Sequence, residues 1–521
     1  MAMTRAAGNS GAAARIDRRR FVSRTLAAAV GAVMPVHRLW AAAASPDALP
    51  DPLAAVSLSG KPISLSQSDI KDFRANLRGP LLLPRDDGYD SARRIWNGAF
   101  DRHPALIARC AGTADVIQAV NFARTHELLT AVHSGGHSIS GQSACEGGLM
   151  IDMSPMKGIR VDPVHRTAEA QAGVLLGEFD RETQAFGLAT TLGTASDTGI
   201  AGLTLGGGMG RLARKFGLSC DNLRSVDIVT ADGHLRHASE QENPDLFWGV
   251  RGGGGNFGIV TSFDYRLHPL GPVLAGNRVY PFSQARAILA ALLEFSVGAP
   301  DEMTISASVT SDAPGVPAGR YVAFEVVYCG AISEGERLLA PLKKLGKPLF
   351  DDVSAKTYVA AQQGLSGASP PPLPPGLNVY VKSGFLRSFP ANLNDEIARR
   401  FESAPPWVSD LGFGQLGGAM ARVKPGATAY WNRLAKYELL LEGAWPERSQ
   451  DEKNLQAGRS LWGAFEPFTQ GYYVNTEPSA DEQRLRATYG DNYPRLVQLK
   501  NQYDPMNLFR LNANIKPTVQ S

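Results

Sequence analysis

Three short glycine-rich segments constrain the fold of this chain more strongly than its overall composition does. They are Ser134-Gly135-Gly136-His137-Ser138, residues 199–210, and residues 251–258. Glycine permits φ values and close backbone approaches that other residues exclude, although it loses more conformational entropy on folding. This density of glycine therefore indicates close packing of backbone, against a large flat ligand or against other backbone.

The first segment follows a predicted strand at residues 129–132. Consecutive backbone N–H groups after a strand can form a concave site for an anion such as a pyrophosphate, and His137 would stand at its tip. Taken alone, the segment is equally typical of a glycine-rich turn that carries an ordinary surface histidine.

The third segment formally contains a dinucleotide-binding pattern, at Gly253, Gly255 and Gly258. In a Rossmann fold that pattern opens a helix, whereas residues 259–265 alternate in polarity as a strand does. We therefore reject a Rossmann fingerprint at this position.

Charge and composition exclude several classes of protein. The 521 residues include 53 basic and 50 acidic ones, which gives a net charge of +3. Because these charges are spread along the chain, nothing favours nucleic acid or an anionic membrane as a partner. With 44% hydrophobic and 20% charged residues, the chain is typical of a globular protein of two or three domains.

The N-terminus has the order of a twin-arginine export signal, which we place at residues 1–44. A basic cluster at 15–24 precedes a small-residue apolar run at 25–34 and a stretch of small residues at 41–45. The apolar run is shorter than the roughly 20 residues of a transmembrane helix. We expect a mature protein without a membrane span in the periplasm or outside the cell; a disordered basic arm is the alternative.

The cysteines are too few and too scattered for a disulfide framework or for metal-ligand spacing. They stand at Cys110, Cys145, Cys220 and Cys329. We expect buried free thiols and no metal site, with one disulfide as the alternative in an oxidising compartment.

Hydrophobic periodicity predicts an α+β domain at residues 70–270. The predicted helices lie at 70–77, 114–125 and 176–186 and around Leu212, and the predicted strands at 106–109, 129–132, 148–152, 167–172 and 225–230. Beyond residue 270 the glycine clusters stop. Longer alternating strands, such as 321–328 and 437–441, predict a second domain at 271–468.

Two further segments are distinctive. Residues 366–376 hold five prolines and predict an exposed, polyproline-like loop. Residues 469–521 include a predicted helix at 484–503 and are too well patterned to be a tail.

In this order, the motifs resemble those of the berberine-bridge-enzyme-like branch of the FAD-linked oxidases, the family that includes vanillyl-alcohol oxidase. The matching segments are 102–109, 134–138, 199–210, 243–248, 251–261 and 503–510. The resemblance implies an α+β fold. A two-lobed FAD-binding domain of the vanillyl-alcohol-oxidase type, 70–270 completed by 469–521, would be interrupted by an α+β substrate domain with an antiparallel sheet.

The resemblance also implies how the cofactor is held. His137 occupies the position whose imidazole is bonded to the flavin 8α-methyl in this family. Many members add a second bond from a cysteine, but Ala195 stands at that position, and Cys220, 25 residues downstream, is misplaced for the role. We therefore expect FAD with one covalent bond.

The remaining cofactor-binding residues that the resemblance implies lie in the glycine segments and near the C-terminus. They are Ser134, Gly135, Gly136, Ser138, Gly141, Thr194, Asp197, Gly199, Gly202, Gly206, Gly207, Gly208, Gly258, Ile259, Val260 and Asn512.

A base that removes the substrate O–H or N–H proton eases hydride transfer. The family's Tyr-x-Asn-Tyr/Phe segment matches Tyr473-Val474-Asn475-Thr476, with threonine in place of the second aromatic residue. Tyr473 is therefore the candidate base and Tyr472 its competitor. Lys382 is a candidate to assist. Alternatively, both tyrosines line the pocket wall.

The expected reaction is hydride transfer from an alcohol carbon of a sugar or other small molecule to flavin, with O2 reoxidising the flavin and releasing H2O2. Amine oxidation, oxidative cyclisation, a dehydrogenase with another acceptor, and a non-catalytic flavin-binding protein remain open.

Overall fold

The computed structural model describes residues 52–365, 377–476 and 481–518. The predicted signal at 1–44 and the proline-rich loop at 366–376 lie outside these residues. The described residues form one compact unit. The domain boundaries at 270 and 468 stay predictions.

A four-stranded sheet carries the first glycine segment. Its order is Leu81–Leu82, Leu106–Arg109, Leu149–Asp152 and Thr130–His133, and the last three strands are parallel. The helix Thr113–Thr125 connects two of them and buries one face, formed by Val116, Ala119, Val120 and Ala123. Residues 134–138 thus leave the sheet at the carboxyl ends of parallel strands, where ligands commonly bind in sheets of this kind.

A second sheet has five antiparallel strands. Its order is Leu235–Ser239, Leu223–Val229, Ile259–Arg266, Thr167–Gln171 and Ile159–Asp162. The central strand begins directly after Gly258, which confirms that the third glycine segment precedes a strand rather than a helix.

The antiparallel sheet expected in the middle of the chain has eight strands. Their order is Phe350–Asp351, Val273–Pro281, Tyr321–Tyr328, Met303–Thr310, Val408–Gln415, Tyr437–Trp445 and Asn378–Leu386, and Ser354–Lys356 pairs with Val273–Pro281. One face packs its apolar side chains against the helices Ala285–Val297, Leu393–Glu402 and Asp451–Gly463. The other face carries half-buried polar side chains.

The remaining elements are short and connect these sheets. They are the strand pairs Leu53–Val56 with Pro62–Leu65 and Leu188–Ala189 with His268–Pro269, and the helices Gln67–Ala75, Tyr89–Arg93, Leu176–Gln184, Ile200–Leu205, Ala213–Phe216, Pro244–Val250, Ile332–Leu339, Tyr358–Leu365 and Ala419–Arg422. The predicted α+β fold class is confirmed.

The single helix predicted at 484–503 is wrong. Two helices, Glu482–Tyr489 and Tyr493–Tyr503, are separated at Gly490, whose φ is 48°. Pro494 lies in the first turn of the second helix, where its missing N–H is tolerated, whereas within one continuous helix it would remove a hydrogen bond.

A buried ion pair fixes the C-terminal segment. Lys500 Nζ lies 2.6 Å from Asp504 Oδ2, and neither side chain is exposed. The ammonium also donates to the carbonyl groups of Asn256 and Phe509. Because an unpaired buried charge is strongly unfavourable, this pair holds the C-terminus against the third glycine segment.

All four cysteines are buried with free thiols, so the expectation of free thiols is confirmed and the alternative disulfide is wrong. Within residues 52–365, 377–476 and 481–518, no helix has both the length and the apolar character that crossing a membrane requires. The same residues contain no cluster of three His, Cys, Asp or Glu side chains suited to a metal ion.

Candidate functional site

His137 is enclosed by an aromatic ring and a carboxylate. Its imidazole stacks on the Trp96 indole, with ring centroids 4.4 Å apart and planes at 19°. Its Nε2 lies 3.7 Å from Asp197 Oδ1, and 17% of its side chain is exposed. Burial lowers the pKa of His137 and the Asp197 charge opposes this, so the imidazole is neutral at neutral pH.

The first two glycine segments meet backbone to backbone. A Cβ added at Gly135 would lie 2.4 Å from Gly199 Cα and 2.5 Å from its N. No side chain fits between the two chains. The packing of backbone against backbone that glycine density indicated is present here, and it brings Asp197 to His137.

The helix Ile200–Leu205 joins the second and third segments. It begins after Gly199, and the Leu205 carbonyl at its end accepts a hydrogen bond from Gly254 N at 2.9 Å. Within this helix, a Cβ at Gly202 would meet no atom within 4 Å. Gly202 therefore presents bare backbone to open space, as a residue in contact with a large flat ligand would.

The other predicted cofactor residues surround this junction. Gly136 and Gly141 have φ of 68° and 80°, and Gly207 and Gly208 have φ of 117° and 80°, so they need glycine's left-handed freedom. The Ser134 hydroxyl donates to Ala172 O, Ser138 Oγ accepts from Gln142 N, and Thr194 O accepts from Arg211 Nη1. Gly258 directly precedes the central strand of the five-stranded sheet, which Ile259 and Val260 begin. Asn512 Nδ2 donates to Gly255 O at 3.2 Å.

Unsatisfied buried atoms around the junction indicate room for a polar ligand. The Ser140 and Ser196 hydroxyl oxygens and the Asn512 amide oxygen are buried and have no hydrogen-bond partner among the described residues. Buried polar atoms of folded proteins are normally hydrogen-bonded. The residues around this junction fit FAD, and the individual roles predicted for the cofactor-binding residues stay predictions.

Tyr473 contacts the second glycine segment through its hydroxyl group. The phenolic oxygen accepts hydrogen bonds from Gly208 N at 3.2 Å, Met209 N at 3.4 Å and Asn475 Nδ2 at 2.8 Å. Burial raises the pKa of Tyr473, whereas these donors favour the phenolate and lower it. Asn475 also packs on Gly206, where a Cβ would lie 2.1 Å from its Oδ1.

Tyr472 is buried against a helix near the C-terminus. Its backbone N–H donates to Thr488 Oγ1 at 3.2 Å, and the Arg484 guanidinium lies 5.6 Å from its ring centroid. Tyr472 therefore contacts the helix Glu482–Tyr489, whereas the Tyr473 hydroxyl contacts the second glycine segment.

The polar face of the eight-stranded sheet is turned towards this site. Ser383 Oγ accepts from Tyr473 N at 3.4 Å, Thr304 Oγ1 donates to Arg211 O at 2.9 Å, and Arg211 forms an ion pair with Glu325 at 2.7 Å. Lys382 was expected to assist Tyr473. Its register partner is Leu441, a residue of the apolar core, so it lies on the face opposite Ser383 and that expectation is wrong.

Three carboxyl groups on the polar face were missed from sequence. They belong to Asp410, Glu438 and Glu442; Asp410 and Glu442 are direct cross-strand partners. Burial raises the pKa of Asp410 and of Glu438 to about 7, and raises that of Glu442. The spacing of Glu438 and Glu442 along one strand put them on one face, but sequence alone did not show which face lines the site.

Comparison with known proteins agrees with this geometry. Residues 104–239 match the FAD binding domain model, and residues 472–516 match the berberine and berberine like model. An FAD-linked oxidoreductase of Dictyostelium discoideum is 30% identical over 453 residues, covering 86% of this chain and 97% of the relative.

Two solved structures share the fold. The 6-hydroxy-D-nicotine oxidase of Arthrobacter nicotinovorans has a TM-score of 0.76 at 29% identity, covering 84% of this chain and 98% of that one. A chitooligosaccharide oxidase has a TM-score of 0.76 at 24% identity, covering 87% and 100%. At that lower identity, the second likeness shows the fold alone.

We expect Gly135→Ala to destabilise the protein by at least about 1–3 kcal/mol, because the added methyl group forces two backbones apart. Thermal unfolding and the flavin content of the purified protein measure this, and both should fall. Gly463→Ala is the matched control, since a Cβ there meets nothing within 4 Å. Equal stability of the two variants would contradict the contact.

Proposed function

Because the chain belongs to the berberine-bridge-enzyme-like FAD-linked oxidoreductases, we propose that it oxidises an alcohol carbon of a sugar or other small molecule, with O2 as final acceptor and H2O2 as product. The observation that carries this proposal is the Tyr473 hydroxyl, which lies on the glycine segment and accepts three hydrogen bonds. That arrangement suits a base for a substrate hydroxyl. FAD, when bound, would accept the hydride.

Tyr473 would take the proton of the substrate hydroxyl on its phenolic oxygen. In the ionised form, the N–H groups of Gly208 and Met209 and the Asn475 amide stabilise the negative charge. Burial opposes ionisation, since it raises the pKa of Tyr473, and it also excludes water from the reacting atoms. Burial outweighs these donors, so the pKa of Tyr473 is raised overall and the phenol needs further stabilisation of its ionised form to act as the base.

His137 would hold the flavin through a single covalent bond. Its side chain lies where the first two glycine segments meet, and Ala195 offers no second nucleophile. Cys220 is fully buried, and burial raises the pKa of its thiol, so it stays a neutral thiol. The cradle around this bond would be residues 134–138, the glycines of the second segment, and Asn512.

A cationic amine is the second candidate substrate, and a specific observation favours it. Glu438 acts electrostatically on Tyr473, and Asp410 and Glu442 lie further along the same polar face. Carboxylates on this face would pair with an ammonium group. The relative from Arthrobacter nicotinovorans is named for 6-hydroxy-D-nicotine.

We also propose that the enzyme acts in the periplasm or outside the cell. The support for this location is the basic cluster at 15–24 followed by the apolar run at 25–34. Twin-arginine export carries folded proteins, which suits a chain that acquires its cofactor before export.

Acid precipitation tests the covalent bond. Yellow colour should remain in the pellet of the native protein and move to the supernatant for His137→Ala, because only the imidazole links flavin to the chain. His165→Ala is the matched control, since His165 is an exposed histidine paired with Asp162 at 2.7 Å. Colour that stays in the His137→Ala pellet would show that another residue carries the flavin.

Anaerobic stopped-flow reduction of the flavin tests the base. Tyr473→Phe should slow reduction by an alcohol substrate by about 100-fold or more, because the proton acceptor is lost. Tyr472→Phe should leave the rate unchanged, since the Tyr472 ring lies against Arg484 of the helix Glu482–Tyr489. Equal rates in the two variants would leave Tyr473 as part of the pocket wall.

A pH series separates the two substrate classes. Glu438 and Asp410, each with a pKa raised to about 7, are neutral below that pH and negatively charged above it. KM for a protonated cyclic amine should therefore fall as pH rises through about 7, and the double variant Glu438→Gln, Asp410→Asn should lack this step. If KM for each oxidised amine does not change with pH, and sugars release peroxide, an alcohol is favoured as the substrate class.

A further inference from the structure

Trp96 is held against the His137 loop by its own backbone. Its N–H donates to Gly136 O at 2.8 Å, and its indole stacks on the His137 imidazole with ring centroids 4.4 Å apart. One residue thus fixes both the main chain of the loop and the plane of the imidazole. Trp96 lies outside the regular helices and strands, so no periodic pattern in the sequence marked it.

The next residue, Asn97, anchors this segment on two sides. Its Nδ2 donates to Ile139 O at 2.6 Å and to Val379 O at 3.1 Å, and its Oδ1 accepts from Val379 N at 3.0 Å. The side chain is 1% exposed. The Trp96 indole is therefore carried by a segment fastened to both the histidine loop and the eight-stranded sheet.

Asp197 lies against the same imidazole. Its Oδ1 is 3.7 Å from His137 Nε2, and 40% of its side chain is exposed. The contact of Gly135 with Gly199 fixes the backbone two residues further along, and Leu176 N donates to Thr198 O at 2.9 Å. The carboxylate is therefore placed by backbone contacts rather than by a flexible loop.

We propose that Trp96 and Asp197 are positioning residues that prepare His137 to form its bond with the flavin: the indole fixes the plane of the imidazole, and the carboxylate stabilises the positive charge that the ring acquires. This rests on the proposed attachment at His137. Burial lowers the pKa of the imidazole, so the ring that attacks is neutral and has a free lone pair.

Attachment oxidises the flavin 8α carbon and reduces the flavin ring by two electrons. A C–N bond forms between an imidazole nitrogen and the flavin 8α carbon, and one C–H bond of that carbon breaks, with its proton passing to water. The alkylated imidazole is cationic beside Asp197 until its remaining N–H proton leaves. Two electrons enter the flavin ring and then reduce O2, which takes up two protons and becomes H2O2.

The test is the rate of covalent attachment in the full chain. Protein made in riboflavin-limited cells is mixed with FAD in air, quenched in acid at intervals, and the flavin in pellet and supernatant is measured. Asp197→Asn and Trp96→Leu should each slow attachment by about 10-fold or more, since each removes one contact with the reacting ring. FAD should still bind them non-covalently, because the glycine segments are intact.

Conservative and distant variants complete the design. Trp96→Phe keeps a stacking ring and should restore most of the rate that Trp96→Leu loses. If the indole acted only through its volume, Trp96→Phe and Trp96→Leu should both attach flavin slowly. Asp162→Asn breaks an exposed Asp–His pair, and Phe122→Leu removes an aromatic ring packed on His126; both should attach flavin at the native rate.

Two outcomes are distinguishable. If the native protein holds no flavin in the acid pellet, the attachment at His137 fails and this inference fails with it. If the native protein is covalent but Asp197→Asn attaches flavin at the native rate, only the inference is overturned. Because Asp197 is 40% exposed, asparagine should be accommodated without loss of fold, and thermal unfolding checks this.

Discussion

The backbone contact between Gly135 and Gly199 is the constraint on which the site depends. It is possible only because neither residue has a Cβ, and it joins two segments that are 64 residues apart in sequence. From it the helix Ile200–Leu205 runs to Gly254, and Gly206 to Gly208 continue to Asn475 and Tyr473. The candidate nucleophile and the candidate base are thereby fixed relative to one backbone junction.

Burial sets the charge state of the groups around this junction. It lowers the pKa of His137 and raises those of Tyr473, Glu438 and Asp410, so each group tends towards its neutral form. Specific partners then oppose the effect: Asp197 for the imidazole, and three N–H donors for the phenol. Groups balanced in this way can change charge during a reaction without a large movement of the protein.

The periodicity of apolar residues predicted the helices and strands well where the apolar face of the element is also its buried face. The strands at 106–109 and 321–328 agree with the structure residue for residue, because apolar periodicity directly reflects which face is buried. The helix predicted at 484–503 failed because Gly490 takes a positive φ and Pro494 begins a new helix. Trp96 and the carboxyl groups of Asp410 and Glu438 escaped prediction, since their importance depends on neighbours distant in sequence.

The sequence by itself determined the α+β fold class, the three glycine segments and the candidate residues His137 and Tyr473. The fold class and the glycine segments follow from residue type, spacing and periodicity, which are local properties, whereas the two candidate residues come from the resemblance of their motifs to those of the family. Only the tertiary structure decided that Gly135 meets Gly199, that the Tyr473 hydroxyl reaches the second glycine segment, and that Lys382 lies on the face opposite Ser383. The reason is physical: strand register and close backbone contact choose which face of an element meets which neighbour, and neither is written in any single segment.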